Sequence, residues 1–342
     1  MPRQLLNQAT RWITEEALRH PADLAPRVAA LLGVGRPAVQ RLLRRLEQAQ
    51  WLQRMGTARR PHDRPGALRQ VVRRYLLDGL DEAWPWQRDF APAFDLPAPL
   101  ARMAQHLFGE LLNNAIEHSG GSCVTVSMRQ TPTQLQLLVS DDGRGVFDAI
   151  AEHFDLADPA LAMLELAKGK LTTQPDRHSG RGLFFCAKLA DIFDLHANDA
   201  AFQQRAWLPD QWFTSKPACR RGSSVYAAIG LDSERTLDAV LRHYSRDGAG
   251  YGFDRTVVPL KLITQPHTGL ESRAQARRVA ARLTQFQRVE LDFTGLADVG
   301  HGFVDELFRV WRRDHAQLEL EPVNMAPRVA ALVDSVRAPL PA

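Results

Sequence analysis

The sequence predicts an α+β chain of several domains: a basic helical head, a central α/β sandwich and a small α/β tail. Three observations predict this. The chain has 342 residues, more than one hydrophobic core usually organises. Residues 1–75 carry an excess charge of roughly +10, although the whole chain carries only +4, so the remainder is mildly acidic. The apolar spacing also changes along the chain, from helical at the start, through strands and glycine pairs, to a regular strand and helix alternation after residue 245. With 45% hydrophobic and 24% charged residues, and no apolar run near the roughly 18 residues of a bilayer span, no helical membrane domain is expected. The first residues lack an apolar secretory segment, which points to the cytoplasm and to no membrane partner. Cys123, Cys186 and Cys219 are odd in number and widely spaced, so they read as reduced, buried thiols.

LLNQATRWITEEAL places Leu6, Ala9, Ile13, Ala17 and Leu18 on one helical face, and a second helix opens after Pro21 and ends at Gly33 and Gly35. In RPAVQRLLRRLEQAQWL, Pro37 suits a first turn and Val39, Leu42, Leu43 and Leu46 form the buried side. Arg36, Gln40, Arg41, Arg44 and Arg45 stay outside. WLQRMGTARRPHDRP then gives a strand, a turn at Gly56 and a tip at Arg59 and Arg60. This pattern resembles a winged helix-turn-helix, the DNA-binding head of many bacterial regulators. The resemblance implies contacts to DNA from Arg36, Gln40, Arg41 and Arg44 and from the wing residues Arg59 and Arg60. A solvated basic face or a protein-docking module is the plainer alternative.

From Pro61 to Pro99 the chain is punctuated by prolines and glycines. GALRQVVRRYLLDGL is helical in period and DEAWPWQRDFAPAFDLP is aromatic enough to pack, so a connecting helix and a packed lead-in are expected.

The central part opens with a polar helix. ARMAQHLFGELLNNAIEHS sets Leu107, Leu111 and Ala115 on one stripe, while Glu110, Asn114 and His118 recur every fourth residue beside it. Two strands follow, CVTVSMR and TQLQLLVS, and the second runs into DDGRGV. A carboxylate there, followed by Gly143 and Gly145, marks backbone that approaches a ligand closely, and Asp141 can accept a hydrogen bond from an amine. Further on, HSGRGLFFCAKLAD puts Ser179, Gly180, Arg181, Gly182 and Leu183 before an apolar helix, whose N-terminal N–H groups suit phosphate.

These boxes, in this order, resemble the Bergerat-fold (GHKL) ATPases, the superfamily of gyrase, histidine kinases and anti-sigma-factor kinases. RRGSSVYAAI is similar to the family's closing strand, with Ser223 where a threonine usually stands. The resemblance covers roughly residues 100–230. It implies ATP and Mg²⁺ as cofactors: Asn114 as the metal ligand, Asp141 for the adenine amine, Gly143 to keep the base slot open, and Gly180 and Gly182 at the phosphates. Residues 146–179 would form a lid, with Lys168, Lys170 and Thr173 over the triphosphate. Glu110 stands where related ATPases carry the carboxylate that activates water, and where anti-sigma kinases carry one that assists attack by a protein hydroxyl.

The tail alternates TVVPLKLI, SRAQARRVAARLTQF, VELDF, GFVDELFRVWRRDH, LELEPVN and PRVAALVDSV, a βαβαβα rhythm. The stretch around VELDFTGLADVGHGFVDELF looks like a STAS-like domain. The resemblance implies a phosphorylatable serine in the loop before the helix, but Gly300, His301 and Gly302 stand there and supply no hydroxyl.

The expected organisation is a winged helix-turn-helix over 1–64, a connecting helix and lead-in over 65–99, a Bergerat ATP-binding domain over 100–242 and a STAS-like domain over 243–342. The expected function is an ATP- and Mg²⁺-gated DNA-binding transcriptional regulator, able at most to hydrolyse ATP slowly. The alternatives are a protein kinase of the anti-sigma-factor type acting on a separate partner, and a nucleotide-switched scaffold that binds a protein or a second copy of the chain.

Overall fold

Apolar residues at helical spacing build the first part of the chain. The computed structural model describes residues 3–57, 60–156, 158–171, 180–208, 212–264 and 269–338. It begins with α1 (Arg3–Ala9), α2 (Ile13–Arg19), α3 (Leu24–Leu32) and α4 (Arg36–Gln48). The single first helix expected from spacing is two, because the chain turns between them, with the Trp12 amide on the Ala9 carbonyl at 3.1 Å. The break spares the buried stripe of Ala9, Ile13 and Ala17, although Leu18 remains exposed. Gly33 caps α3 in the left-handed conformation, Pro37 sits in the first turn of α4, and Val39, Leu42 and Leu46 are buried with Leu24 and Val28 in one core. The strands β1 (Leu52–Thr57) and β2 (Arg60–Pro65) form an antiparallel hairpin. Gly56 lies inside β1 opposite Pro61, not at the turn as expected.

The connecting helix expected after residue 65 is instead a strand, β3 (Arg69–Leu76). Leu68, Val71, Val72 and Tyr75 fit a helical template, but Val71 and Val72 are β-branched and the neighbouring strand supplies a full ladder from Arg69↔Gln130 to Leu76↔Cys123. The aromatic lead-in does pack: Phe90 and Trp86 lie 4.9 and 5.3 Å from Phe108, and the Tyr75 hydroxyl donates to Asp89 at 2.7 Å. The remaining elements, in order, are α5 (Ala98–His118), β4 (Cys123–Gln130), β5 (Gln134–Asp141), α6 (Val146–Phe154), α7 (Pro159–Lys168), α8 (Gly182–Leu189), β6 (Ile192–Asn198), β7 (Ala200–Arg205), β8 (Trp212–Thr214) and β9 (Arg220–Gly230). They are followed by α9 (Leu237–His243), β10 (Arg255–Pro259), α10 (Arg273–Ala280), β11 (Arg288–Asp292), α11 (His301–Asp305), β12 (Glu319–Val323) and α12 (Pro327–Arg337).

The chain divides into two compact units. The first comprises Met1–Gly143 and Gly222–Glu234. Its antiparallel sheet runs β3-β4-β5-β9, and α5 buries Leu100, Met103, Leu107, Phe108, Leu111 and Ala115. The head is tied to this sheet through β3: the Gln70 amide donates to the Thr14 hydroxyl at 3.0 Å, and Arg73 pairs with Glu15. The second unit comprises Arg144–Arg221 and Arg235–Ala342. It contains α6, α7 and α8, the antiparallel strands β6-β7-β8, and a parallel sheet β10-β11-β12. The expected alternation of strand and helix in the tail is present, with one change. The helix read from SRAQARRVAARLTQF stops at Ala280, and Arg282 takes a φ of 64°.

Cys123 and Cys186 are buried and Cys219 is exposed. Among the described residues no helix is long and apolar enough to cross a membrane.

Candidate functional site

In the first unit, the residue that follows α5, Ser119, lies against Gly143 in the turn after β5. Asn114 is half-buried, and its side-chain amide donates to the Glu110 carbonyl one turn back at 2.7 Å. That bond orients the amide and leaves Oδ1 as the atom a hard cation would meet. The Glu110 carboxylate lies 3.9 Å from Nδ1 of His106, whose burial pulls its imidazole below the usual histidine range. His118 is half-buried in the last turn, 4.0 Å from Glu117.

Asp141 ends β5 and is only 6% exposed. Its Oδ1 accepts from the backbone N–H groups of Gly143 at 2.9 Å and Ser223 at 3.1 Å. Burial raises its pKa and these two backbone donors oppose the rise. Two glycines permit the seat. A side chain at Gly222, which has φ 93°, would run into the Asp141 carbonyl, and one at Gly143 would meet the Ser119 carbonyl at 2.2 Å. The close crossing with the end of α5 therefore leaves no room for a side chain at Gly143. The neighbouring Asp142 does another job. It accepts from the hydroxyl and amide of Ser122 at 2.6 and 2.7 Å and from the Cys123 amide, and the Ser122 hydroxyl leads in holding its carboxyl below the usual range. Asp141 is thus held through Oδ1 by two backbone amides, while Asp142 pins the start of β4.

The second unit carries the other boxes. Gly145 is the N-cap of α6, packed on the Asn198 amide that donates to the Arg144 carbonyl at 2.7 Å. Gly180 and Arg181 lead into α8, Gly182 is its first residue, and its first turn has no side-chain cap. Its N–H groups are the kind of donor set a phosphate takes. Leu183 is half-buried on that helix. Thr173 and Ser179 lie outside the described residues, as does Arg59 of the hairpin.

Lys168 is not available for the triphosphate contact expected of it. It is fully buried at the end of α7, with Nζ 2.5 Å from Glu165 and donating to the carbonyls of Ala281 at 2.9 Å and Arg278 at 3.2 Å. Those carbonyls belong to the last turn of α10 and its exit, so the ammonium caps that helix from another segment. Burial lowers its pKa against the pull of Glu165. Lys170 is turned the same way. Its Nζ donates to the Gln285 carbonyl at 2.6 Å and lies 4.7 Å from the Phe286 ring. The physical reason is that the carbonyls at the end of α10 and in the residues after it are satisfied by cations from another segment.

In the head, Arg36, Gln40, Arg41 and Arg44 are exposed along α4, and Arg60 is exposed on the hairpin. In the tail, Gly300 caps α11 where a side chain would meet Glu271 at 2.7 Å, so close packing explains this glycine, and His301 is exposed.

Comparison with known families finds a likeness in two regions of the chain. Residues 77–203 match the histidine kinase-like ATPase domain. Residues 275–330 match a STAS-like domain of unknown function. A search of the curated proteins finds no match. The ATPase-like match begins near the end of β3, upstream of residue 100.

Sequence reasoning missed Gly222 and the Glu165 and Arg282 pair. Gly222 stands beside Ser223. The pairing of Glu165 with Arg282 spans 117 residues and leaves no local signal.

Proposed function

We propose that the chain is an ATP- and Mg²⁺-binding regulator whose head binds DNA under nucleotide control. The seat of Asp141 carries the reading: a buried carboxylate fixed through Oδ1 by the amides of Gly143 and Ser223, suited to receive an exocyclic amine at its other oxygen. A bound Mg²⁺ would neutralise phosphate charge, and Asn114 is the residue here that would hold it through its amide oxygen. The first turn of α8 would receive phosphate oxygens at Gly182 and Leu183. Glu110, on the same helix as Asn114, would take a proton from an attacking water or hydroxyl.

The DNA part rests on the head. Its helices and hairpin over residues 1–64 suit a winged helix-turn-helix, and Arg36, Arg41 and Arg44 on the exposed side of α4 have no carboxylate partner among the described residues. The bonds from Thr14 and Glu15 to β3 join this head to the sheet in which Asp141 lies, which gives nucleotide binding a physical route to the head. For the route to matter, ATP must favour one arrangement over another.

Selection from a genomic fragment library, with and without Mg-ATP, tests the proposal. Specific fragments whose recovery changes with ATP in the wild type, but not in Asn114→Ala or Asp141→Ala, are the expected result. Recovery of no fragment in any state would count against DNA as the partner. Labelled ATP in parallel separates hydrolysis, seen as free phosphate, from transfer to a protein.

A further inference from the structure

The second unit contains a cluster that nucleotide chemistry alone does not require. Glu165 on α7 lies between two cations: Oε1 takes the Lys168 ammonium at 2.5 Å and Oε2 takes Nη1 of Arg282 at 2.6 Å. Arg282 comes from the STAS-like part. Its other nitrogen, Nη2, donates to the carbonyl of Lys170 at 2.5 Å and reaches that of Gly169 at 3.3 Å. One planar guanidinium thus joins a carboxylate to two successive carbonyls, a geometry an ammonium cannot reproduce. The Thr256 hydroxyl adds a bond to the Lys168 carbonyl at 2.7 Å.

The backbone held in this way leads directly to the glycine turn before α8. Leu171, next after Lys170, donates its amide to the Gly180 carbonyl at 3.1 Å. Gly180 has φ 64°, and a side chain there would strike the Leu171 backbone at 2.5 Å. Arg282 itself adopts φ 64°, a conformation unfavourable for a residue with a Cβ, and α10 stops short to allow it. A buried ionic cluster is a costly way to pack two segments when apolar residues would serve, so its value lies in fixing particular carbonyls in place.

We propose that Arg282 is a positioning residue for the nucleotide turn. It holds Gly169 and Lys170, and through Leu171 the Gly180 turn that precedes α8, so the STAS-like part sets how long nucleotide stays bound. The proposal rests on the ATP reading given above.

The test uses the full chain, Mg²⁺ and a fluorescent ATP analogue, and compares the wild type with Arg282→Gly, Arg282→Lys and Asn114→Ala. Glycine removes the guanidinium and suits the backbone conformation. The expected result is nucleotide dissociation about tenfold faster in Arg282→Gly, with a smaller change in Arg282→Lys. Hydrogen exchange without nucleotide should rise at residues 169–171 and 180–185 while the strands β10, β11 and β12 keep their protection. Unchanged dissociation in a folded Arg282→Gly protein overturns the proposal, as does exchange that rises throughout the STAS-like part. If Arg282→Gly does not fold, Arg282→Lys is judged by the same two readouts. Nucleotide binding that is lost in Asn114→Ala yet indifferent to Arg282 removes this proposal alone, whereas a wild type that binds no nucleotide removes the ATP reading and this proposal together.

Discussion

The arginines of α4 and the paired arginines of the STAS-like part make opposite use of the same side chain, although elsewhere in the head Arg19 and Arg27 do pair, with Glu15 and Glu16. On α4, Arg36, Arg41, Arg44 and Arg45 are exposed and meet no carboxylate among the described residues. In the STAS-like part, Arg273 and Arg309 converge on Asp305, Arg277 pairs with Glu306, Arg288 with Glu321 and Arg282 with Glu165. Charge counted along the sequence therefore says little until its compensation is known. Uncompensated cations keep their attraction for a polyanion, whereas compensated ones act on the fold.

The comparison can be broken at several points. Its largest expected effect is at Lys168, the most deeply buried cation of the second unit. Lys168→Ala should destabilise the protein by about 3–5 kcal/mol in chemical denaturation, since it leaves Glu165 short of a partner and two carbonyls uncapped. A loss below 1 kcal/mol would place Lys168 with the surface cations. Next comes the head. The double variant Arg41→Ala, Arg44→Ala should weaken DNA binding by about ten- to a hundredfold and make the salt dependence shallower by about 1.8, with its unfolding transition unchanged. An unaltered salt slope would mean that these side chains do not meet phosphate.

Smaller effects sharpen the contrast. Arg277 is 69% exposed although Glu306 is buried, so Arg277→Ala should cost under about 1 kcal/mol and leave DNA binding untouched. His106 offers a cation created by acid. Its folded pKa lies below 6.5 because it is buried, so the folded state binds fewer protons than the unfolded one. Its contribution is therefore constant above pH 6.5, and stability falls as pH drops from there through the folded value. His106→Gln should lose part of that acid-side decline in melts at stepped pH, and an identical decline would assign it elsewhere.

How far the sequence could be read follows the same division. The glycines at 143 and 180 stood out in the sequence, and both lie where backbone passes too close for a side chain. The tail's alternation was legible because apolar strands and amphipathic helices differ in period. β3 was misread because Leu68, Val71, Val72 and Tyr75 satisfy a helix as well as a strand, and only the ladder to β4 decides between them. Lys168 and Lys170 were expected over a triphosphate because nothing near them in sequence shows the carbonyls of Arg278, Ala281 and Gln285 that they reach.

The measurement closest to the central claim is calorimetric titration of the full chain with Mg-ATP, beside Asp141→Ala and Asn114→Ala. The account predicts saturable one-site binding by the wild type and affinity lower by about ten- to a hundredfold in each variant, the loss expected for a hydrogen bond or ligand to a charged group. Equal binding by all three proteins, or none by the wild type, would contradict it.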